Sequence, residues 1–505
     1  MKLNSKNFDI CIVGYGPTGA TLANLIAQCG LSVVVIEREA DMYKLPRAVH
    51  FDGETMRVFQ SLGIADQLSK KVRINPGMRF VDQKKSVILD WPRPQEIGVQ
   101  GWHASYRLHQ PDLEHLLRKK LSSYANATVI SGTEVVALSE DKESVEVTCR
   151  RMSDGSEIQL NTKYVVGCDG ANSVVRRLIG SDMEDLGFKE KWLVVDLLLK
   201  RERPDLGDHS IQFCDPIRPM TYCRNPENRR RWEITMLEGE TDEDVTKSDM
   251  IWKFLAPWIT TDDADLERKA VYTFKSLLAH TWRKGRLMIA GDAAHLTPPF
   301  MGQGMCAGIR DAVNLAWKLV LRVNGDASDG ILDSYQQERA PNVREFIETA
   351  IRLGGLINTM DSEKALAQSH SSPNGSARMS SLLPPLGASN LDGLISGSGP
   401  HCGKLFTQPI LKSGKKLDNE IGYSPVLIVR NKLPENIIPK VPVLDGETHP
   451  NLIEVLKNLD ASAVLVRPDR YIADSAKSEH EVKKLAVCRM PIPLSNKIKE
   501  REINI

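Results

Sequence analysis

The sequence is short of net charge: 66 lysines and arginines face 65 aspartates and glutamates in 505 residues. So close a balance makes no field that draws nucleic acid or an acidic membrane surface. Long hydrophobic runs are missing too, and nothing approaches the roughly 18 apolar residues that a membrane span needs. The opening MKLNSKNFD has no apolar signal-peptide core, and the closing REINI matches no targeting or lipidation signal. Nine cysteines are scattered without C-x-x-C or metal-ligand spacing, so no metal site is expected. An odd count with no disulfide framework suits a reducing compartment, and a cytoplasmic location is the expectation. There is no internal repeat. A chain of this length exceeds one hydrophobic core, which implies two or three domains.

What the chain does carry is concentrated in three stretches. Residues 286–314, RLMIAGDAAHLTPPFMGQGMCAGIRDAVN, begin as a short apolar strand over 287–290 that stops at the turn-favouring pair Gly291-Asp292. Pro298, Pro299, Gly302, Gly304 and Gly308 follow, and from about Gly304 the apolar spacing is helical. A carboxylate thus ends a strand, and a glycine-rich loop leads into a helix whose first N–H groups are free for an anion or ring oxygens. Taken alone, this stretch has a structural turn as its lesser alternative.

Residues 8–39 hold a strand over 9–13, then G-x-G-x-x-G at Gly14, Gly16 and Gly19, a helix from Pro17 to Gln28, a second strand at 33–36, and Glu37 at its end. Every part of a dinucleotide-binding unit is there. The glycines permit a tight turn and a close pyrophosphate, the helix start faces the phosphates, and the acid reaches ribose hydroxyls. Residues 164–180 give a third strand, 164–167, that ends in Asp169-Gly170 before a helix starting near Asn172 or Ser173. By itself that turn is more often structural than functional.

In this order the three stretches resemble those of the FAD-dependent aromatic hydroxylases, the single-component (group A) flavoprotein monooxygenases. The likeness covers essentially the whole chain. It is carried further by LPRAVHFDGETMRVFQSLG (45–63), YRLHQPDLEHLLR (106–118), AGDAAHLTPPFMGQGMCAGIRDAVNLAWKL (290–319) and LVRPDRYIA (465–473). These strings are most similar to the 3-(3-hydroxyphenyl)propionate hydroxylase type, which works in aromatic catabolism.

The expected fold class is therefore α/β. A Rossmann-like FAD-binding domain spans 1–187 and 281–358. A mostly antiparallel sheet read from strand-like runs is inserted at 188–280 as the substrate domain. A Ser-, Gly- and Pro-rich linker fills 359–400, and the resemblance implies a thioredoxin-like domain without C-x-x-C at 401–505. Within 311–358 a long amphipathic helix is expected, interrupted near Pro341, with its charges on a solvated face. Trp192, Trp232, Trp252, Trp258 and Trp282 are expected in the core.

The resemblance also implies the site. Gly14, Gly16, Pro17, Thr18, Gly19, Glu37 and Arg38 hold the adenosine and pyrophosphate end of a non-covalent FAD. Asp169, Gly291 and Asp292 follow along the cofactor, and Pro299, Gly302, Gln303, Gly304 and Met305 shape the loop against the flavin ring. Arg47, Arg107 and Gln110 are flavin-proximal. The alternatives are a surface arginine at Arg47 and plain helix-start architecture for Arg107 and Gln110. His50 binds or deprotonates a phenol, or else is a hydrogen-bonded core histidine. Arg218, Tyr222, Arg224 and Tyr272 are the polar candidates to face substrate, with sheet decoration as the alternative for each.

The chemistry so implied uses NADH or NADPH as a transient hydride donor and O2 as co-substrate, through a flavin C4a-hydroperoxide. A phenol with a pKa near 10 is only about 0.1% ionised at pH 7, so a base such as His50 helps the ring carbon attack. Pro299 and Gly302, with the backbone N–H groups of their loop, steady the charge that develops. The same scaffold serves chlorophenol and natural-product hydroxylases, which remain alternatives, as does a non-catalytic flavin-fold binding protein. A halogenase is excluded by the missing W-x-W-x-I-P, and a simple NAD dehydrogenase would not need the Gly291-Asp292 segment. The family resemblance also allows a homodimer.

Overall fold

The computed structural model describes residues 7–358, 377–389 and 399–487. Its organising layer is an eight-stranded sheet. Along it run Arg283–Lys284, Leu287–Ile289, Glu157–Gly167, Asn7–Val13, Val33–Ile36 and Ala127–Ile130, with Val145–Arg151 and Thr133–Glu140 added as an antiparallel ribbon on Glu157–Gly167. The pairings from Leu287–Ile289 across to Ala127–Ile130 are parallel. Helices cover such a sheet, which is why Ile10, Ile12, Val33, Val35, Val165 and Ile289 are all buried. The order matters for the site. The strands that carry the three motifs are adjacent and parallel, so Gly14, Cys168-Asp169 and Ala290-Gly291 leave the sheet along one edge. That edge, at the carboxyl ends of the strands, is where open α/β sheets form their ligand crevice.

The helix Pro17–Gln28 packs on the helix Gly304–Asn324 and on Gln110–Leu121. A second, nine-stranded sheet stands over the crevice. Its order is His295–Leu296, Ala264–Ala279, Met183–Leu199, Arg229–Thr235, Met220–Arg224, Ser210–Phe213, Gly77–Val81, Val87–Pro92 and Ala377–Arg378. It therefore draws on more of the chain than 188–280. The hairpin Gly77–Val81 and Val87–Pro92 finishes one side, joined by a parallel pairing to Ser210–Phe213. Trp192, Trp232 and Trp282 are fully buried, while Trp252 and Trp258 are partly buried.

The helix Asp333–Asn358 does not break at Pro341, contrary to expectation. Proline withholds an N–H from the preceding turn and crowds its carbonyl. Here Gly387 packs against that turn, and its N–H donates to the Glu338 carbonyl at 2.9 Å. Two of the charges expected in solvent are instead buried. Glu338 meets Lys318 at 2.8 Å and Arg467 at 2.7 Å, and Arg339 meets Asp311 at 2.8 Å.

The last unit is a four-stranded sheet in the order Val443–Asp445, Val426–Val429, Ala463–Val466, Ile472–Ala476, with helices Asn451–Asn458 and Glu479–Ala486. Besides Arg467, it is fastened by Asp418 on Arg57 at 2.8 Å and by Tyr423, whose hydroxyl donates to the Val313 carbonyl at 2.7 Å. The residue Cys488, much of the linker and both ends of the chain lie outside the described residues. Eight cysteines within them are free thiols. Among the described residues no helix is long and apolar enough to cross a membrane, and no cluster of side chains suits a metal ion.

Candidate active site

The three motifs interlock through contacts that only glycine allows. Gly14 has φ +100°, and a Cβ there would stand 2.4 Å from the Cys168 carbonyl oxygen. On Gly19 a Cβ would stand 2.2 Å from the Gly14 carbonyl oxygen. Thr18 lies between Gly291 and Gly308, where added Cβ atoms would come within 2.7 and 2.2 Å of its Oγ1. Gly16, by contrast, faces open space, as a position reserved for a ligand would. The first and second strand ends and the helix Gly304–Asn324 are thus locked around one empty-sided loop.

The electrostatics fit an anionic dinucleotide. The helix that begins at Pro17 and the one that begins at Gly304 have no side-chain cap and no acid in the first turn. Their leading N–H groups are available to phosphate or ring oxygens. Glu37 accepts the Tyr15 N–H at 2.7 Å and the Glu39 N–H at 2.8 Å, which fixes its carboxylate beside the glycine loop. Arg38 points outward and pairs with Glu39. Asp169 caps the next helix, accepting from Ser173 Oγ at 2.5 Å and from the Val174 N–H at 2.6 Å. Asp292 is open to solvent on one side, while the protein packed around it raises its pKa. Beneath it, Asp311 accepts the Gly291 N–H at 3.0 Å and faces His295 Nε2 at 2.6 Å, so the strand end is held from below.

The flavin-side loop is held from three directions. Gln110 accepts the N–H groups of Arg47 and Ala48, at 3.2 and 2.6 Å. Arg231 donates to the carbonyls of Arg47 and Pro46, at 2.7 and 2.8 Å, and Arg268 also reaches Pro46. Asp196 pairs with both arginines. The Arg47 side chain is exposed, over the Tyr43 ring. Gln303 turns back to accept from Arg310 at 3.0 Å, and Met305 packs against the main core.

Between the second sheet and residues 299–302 lies a cavity of about 60 Å³. His50, Asn75 and Arg107 line one side, Trp91 and Arg93 another, and Thr221, Cys223 and Glu233 the sheet side. Pro299, Phe300, Met301 and Gly302 complete its lining, just before the helix Gly304–Asn324. His50 is 5% exposed, with Nδ1 3.0 Å from the Gly302 carbonyl and Nε2 2.7 Å from Ser105 Oγ. Burial, and then the charge of Arg107, lower its pKa to about 3.

The structure thus brings His50, Pro299, Gly302 and Arg107 to one cavity. It does not bring Arg218, Tyr222, Arg224 or Tyr272 there. Arg218 pairs with Glu240 at 2.5 Å, Tyr222 is buried on Trp232, Arg224 donates to the Glu227 carbonyl at 2.9 Å, and the Tyr272 hydroxyl is held by Arg268. Strand alternation explains two of these, because Thr221 and Cys223 face the cavity and so Tyr222 and Arg224 face away. Asn75, Arg93, Ser105 and Glu233 were not foreseen from sequence.

A parallel α/β sheet with a glycine loop, two uncapped helix starts and an adjoining cavity defines an oxidoreductase built around a nucleotide cofactor. Residues 7–350 match the FAD binding domain family, and the chain belongs to it. It is 41% identical over 363 residues, 71% of this chain and 67% of the relative, to a probable NADH-specific resorcinol 4-hydroxylase of Rhodococcus jostii (strain RHA1). It is 33% identical over 437 residues, 84% and 79% of the two chains, to a 3-(3-hydroxy-phenyl)propionate/3-hydroxycinnamic acid hydroxylase of Burkholderia cenocepacia (strain HI2424). In fold it matches the flavin-dependent monooxygenase PieE in complex with FAD and substrate, with TM-score 0.78, 20% identity and 95% and 98% of the two chains covered. It also matches aklavinone-11 hydroxylase with FAD and aklavinone, with TM-score 0.76, 20% identity and coverage of 96% and 100%. The chain is a flavoprotein aromatic monooxygenase.

Proposed function

We propose that the protein hydroxylates a single-ring phenol with NAD(P)H and O2. FAD, when bound, would supply the redox chemistry between nicotinamide and dioxygen, with one oxygen atom entering the ring and the other leaving as water. The observation that carries the reading is the position of the cavity. One wall is the 299–302 loop, and the same loop leads into the helix Gly304–Asn324 that meets the glycine motif. A ring in the cavity lies across that loop from the cofactor crevice, shielded by Trp91 and Phe300. A single ring is favoured because the relatives at 41% and 33% identity are named for resorcinol and for 3-(3-hydroxy-phenyl)propionate.

The chain's own residues have separate tasks in this reading. Gly14 to Gly19 and Glu37 bind the adenosine and pyrophosphate portion of FAD. Gly291 and Asp292 would hold its middle portion, and Pro299 to Met305 would bound its ring. His50 orients the loop through Gly302, and with both ring nitrogens engaged it is suited to a relay through Ser105 more than to direct proton abstraction. A cytosolic location is supported by the free thiols, and a homodimer rests on family resemblance alone. The test is NAD(P)H oxidation by FAD-loaded protein against phenols, with hydroxylated product and peroxide measured together. A product formed in step with NAD(P)H consumption supports the reading, and flavin reduction that yields peroxide alone with every phenol refutes it.

A further inference from the structure

Two guanidinium groups line the cavity, and neither makes a salt bridge among the described residues, though the charge of Asp52 reaches Arg93 from further off. Arg107 is 8% exposed and donates to Ser210 Oγ, while its buried Nε finds no acceptor among the described residues. Arg93 stacks on Trp91, 4.0 Å from the ring centroid, and donates to Ser381 Oγ at 3.0 Å. Other buried arginines of this molecule are handled differently. Arg57 and Arg470 share Asp418, Arg231 and Arg268 share Asp196, Arg310 meets Asp52 and Glu54, and Arg467 meets Glu338 and Asp469. Arg230 has no acid but is met by the carbonyls of Glu227 and Arg229, at 3.2 and 2.8 Å.

The acid in the cavity wall is Glu233; its Oε1 lies 3.7 Å from Arg231, and its charge is divided between that arginine and Arg107. Burial raises the Glu233 pKa, while the charges of Arg231, Arg107 and Arg268 oppose that rise. A guanidinium withdrawn from water without a counter-ion is costly to the fold. Buried Arg107 and half-buried Arg93 at one cavity make a place that an anion completes, and the planar fork of arginine suits a carboxylate. His50 and Arg107 are register partners on neighbouring antiparallel strands, so their side chains rise on the same face. A ring held beside His50 and the 299–302 loop therefore has its substituent within the field of Arg107.

We infer that Arg107, assisted by Arg93 on Trp91, binds the carboxylate of the substrate and selects an aromatic acid over a neutral phenol. The inference rests on the proposal that the cavity holds the phenol. The same arginines would also favour a phenolate oxygen, so the test separates carboxylate from phenolate.

Flavin absorbance of the FAD-loaded enzyme is titrated with 3-phenylpropionate and with its neutral amide, neither of which carries a ring hydroxyl. Steady-state kcat/KM, with product measured, is then compared for 3-(3-hydroxyphenyl)propionate and resorcinol. Wild type is expected to bind the acid more tightly than the amide by about thirtyfold, the scale of one charge-assisted contact. In Arg107→Met the ratio of kcat/KM for the acid to that for resorcinol falls by a similar factor. Arg107→Lys restores part of it, and Arg93→Gln lowers it less. Equal binding of acid and amide overturns the inference. So does an Arg107→Met variant that loses acid and resorcinol turnover by one common factor, and so does a wild type that prefers resorcinol. Should Arg107→Met fail to hold FAD, the acid-to-resorcinol ratio in Arg93→Gln decides, and no change there is overturning. If the acid binds better than the amide but no phenol is hydroxylated, the anion site stands and the hydroxylase reading falls.

Discussion

His50 is tied to Gly302: its Nδ1 lies 3.0 Å from the Gly302 carbonyl oxygen, in the loop that lines the cavity. A carbonyl only accepts, so Nδ1 carries the proton and Nε2 accepts from the Ser105 hydroxyl at 2.7 Å. Ser105 in turn accepts from Asn75 at 2.8 Å. Gly302 has φ +62°, and a Cβ on it would stand 2.9 Å from His50 Cβ. Gly302→Ala is therefore expected to displace the loop. Product formed per NAD(P)H oxidised should fall several-fold and peroxide should rise. Unchanged coupling would separate this pair from the chemistry.

The depressed pKa of His50 sets a pH dependence. The folded value of about 3 lies below the ordinary 6.5, because burial disfavours the imidazolium. Between those values the unfolded chain binds the extra proton, so stability rises with pH through that window. The contribution is complete above about pH 6.5 and is lost as pH falls towards 3, at about 1.4 kcal/mol per unit. Urea unfolding of wild type and His50→Gln at pH 5 to 7 checks it. The wild type should lose more stability on acidification than the variant, and parallel losses would contradict a neutral buried His50.

Asp196 stands opposite Arg231 on one neighbouring strand and opposite Arg268 on the other. Together they fix the carbonyls of Pro46 and Arg47. Asp196→Asn removes the acid that two buried guanidiniums share, leaving Arg231 only Glu233 at 3.7 Å, and a loss of about 3 kcal/mol in unfolding free energy is expected. FAD affinity should weaken with it, since the loop that carries Arg47 is released. Equilibrium denaturation and FAD titration read the two effects separately.

The C-terminal unit reaches the cofactor loop through two side chains. The Tyr471 hydroxyl donates to Glu54 at 2.6 Å, Glu54 pairs with Arg310 at 2.7 Å, and Arg310 donates to Gln303 at 3.0 Å. Tyr471→Phe removes one link and leaves Glu54 short of a donor in a buried site. A loss of about 1 to 3 kcal/mol in stability is expected, with a measurable drop in hydroxylation coupling. Stability loss alone, with coupling intact, would make the contact purely structural.

The dinucleotide strands and the helix at Pro17 were legible because one local pattern specifies each of them. Gly14, Gly16, Gly19 and Glu37 sit where strand, turn and helix demand them. The meeting of Thr18 with Gly291 and Gly308 was not legible, since it joins residues far apart in sequence. Polarity was a poor guide on the strand Met220–Arg224. It pointed to Tyr222 and Arg224, but alternation alone does not say which face meets a cavity, and Thr221 and Cys223 do. Asp196, Arg231 and Arg268 carry no local signal, because their meeting depends on strand register. Pro341 argued for a break, yet the helix Asp333–Asn358 runs through it.

The central claim is tested most directly by one measurement on the FAD-loaded protein. NADH and NADPH oxidation, hydroxylated product and hydrogen peroxide are followed together with 3-(3-hydroxyphenyl)propionate and with resorcinol. The account predicts that at least one phenol speeds oxidation and that hydroxylated product accumulates with it, nearly mole for mole. A protein that takes up no FAD, or that oxidises reduced nicotinamide to give only peroxide with every phenol, would contradict it.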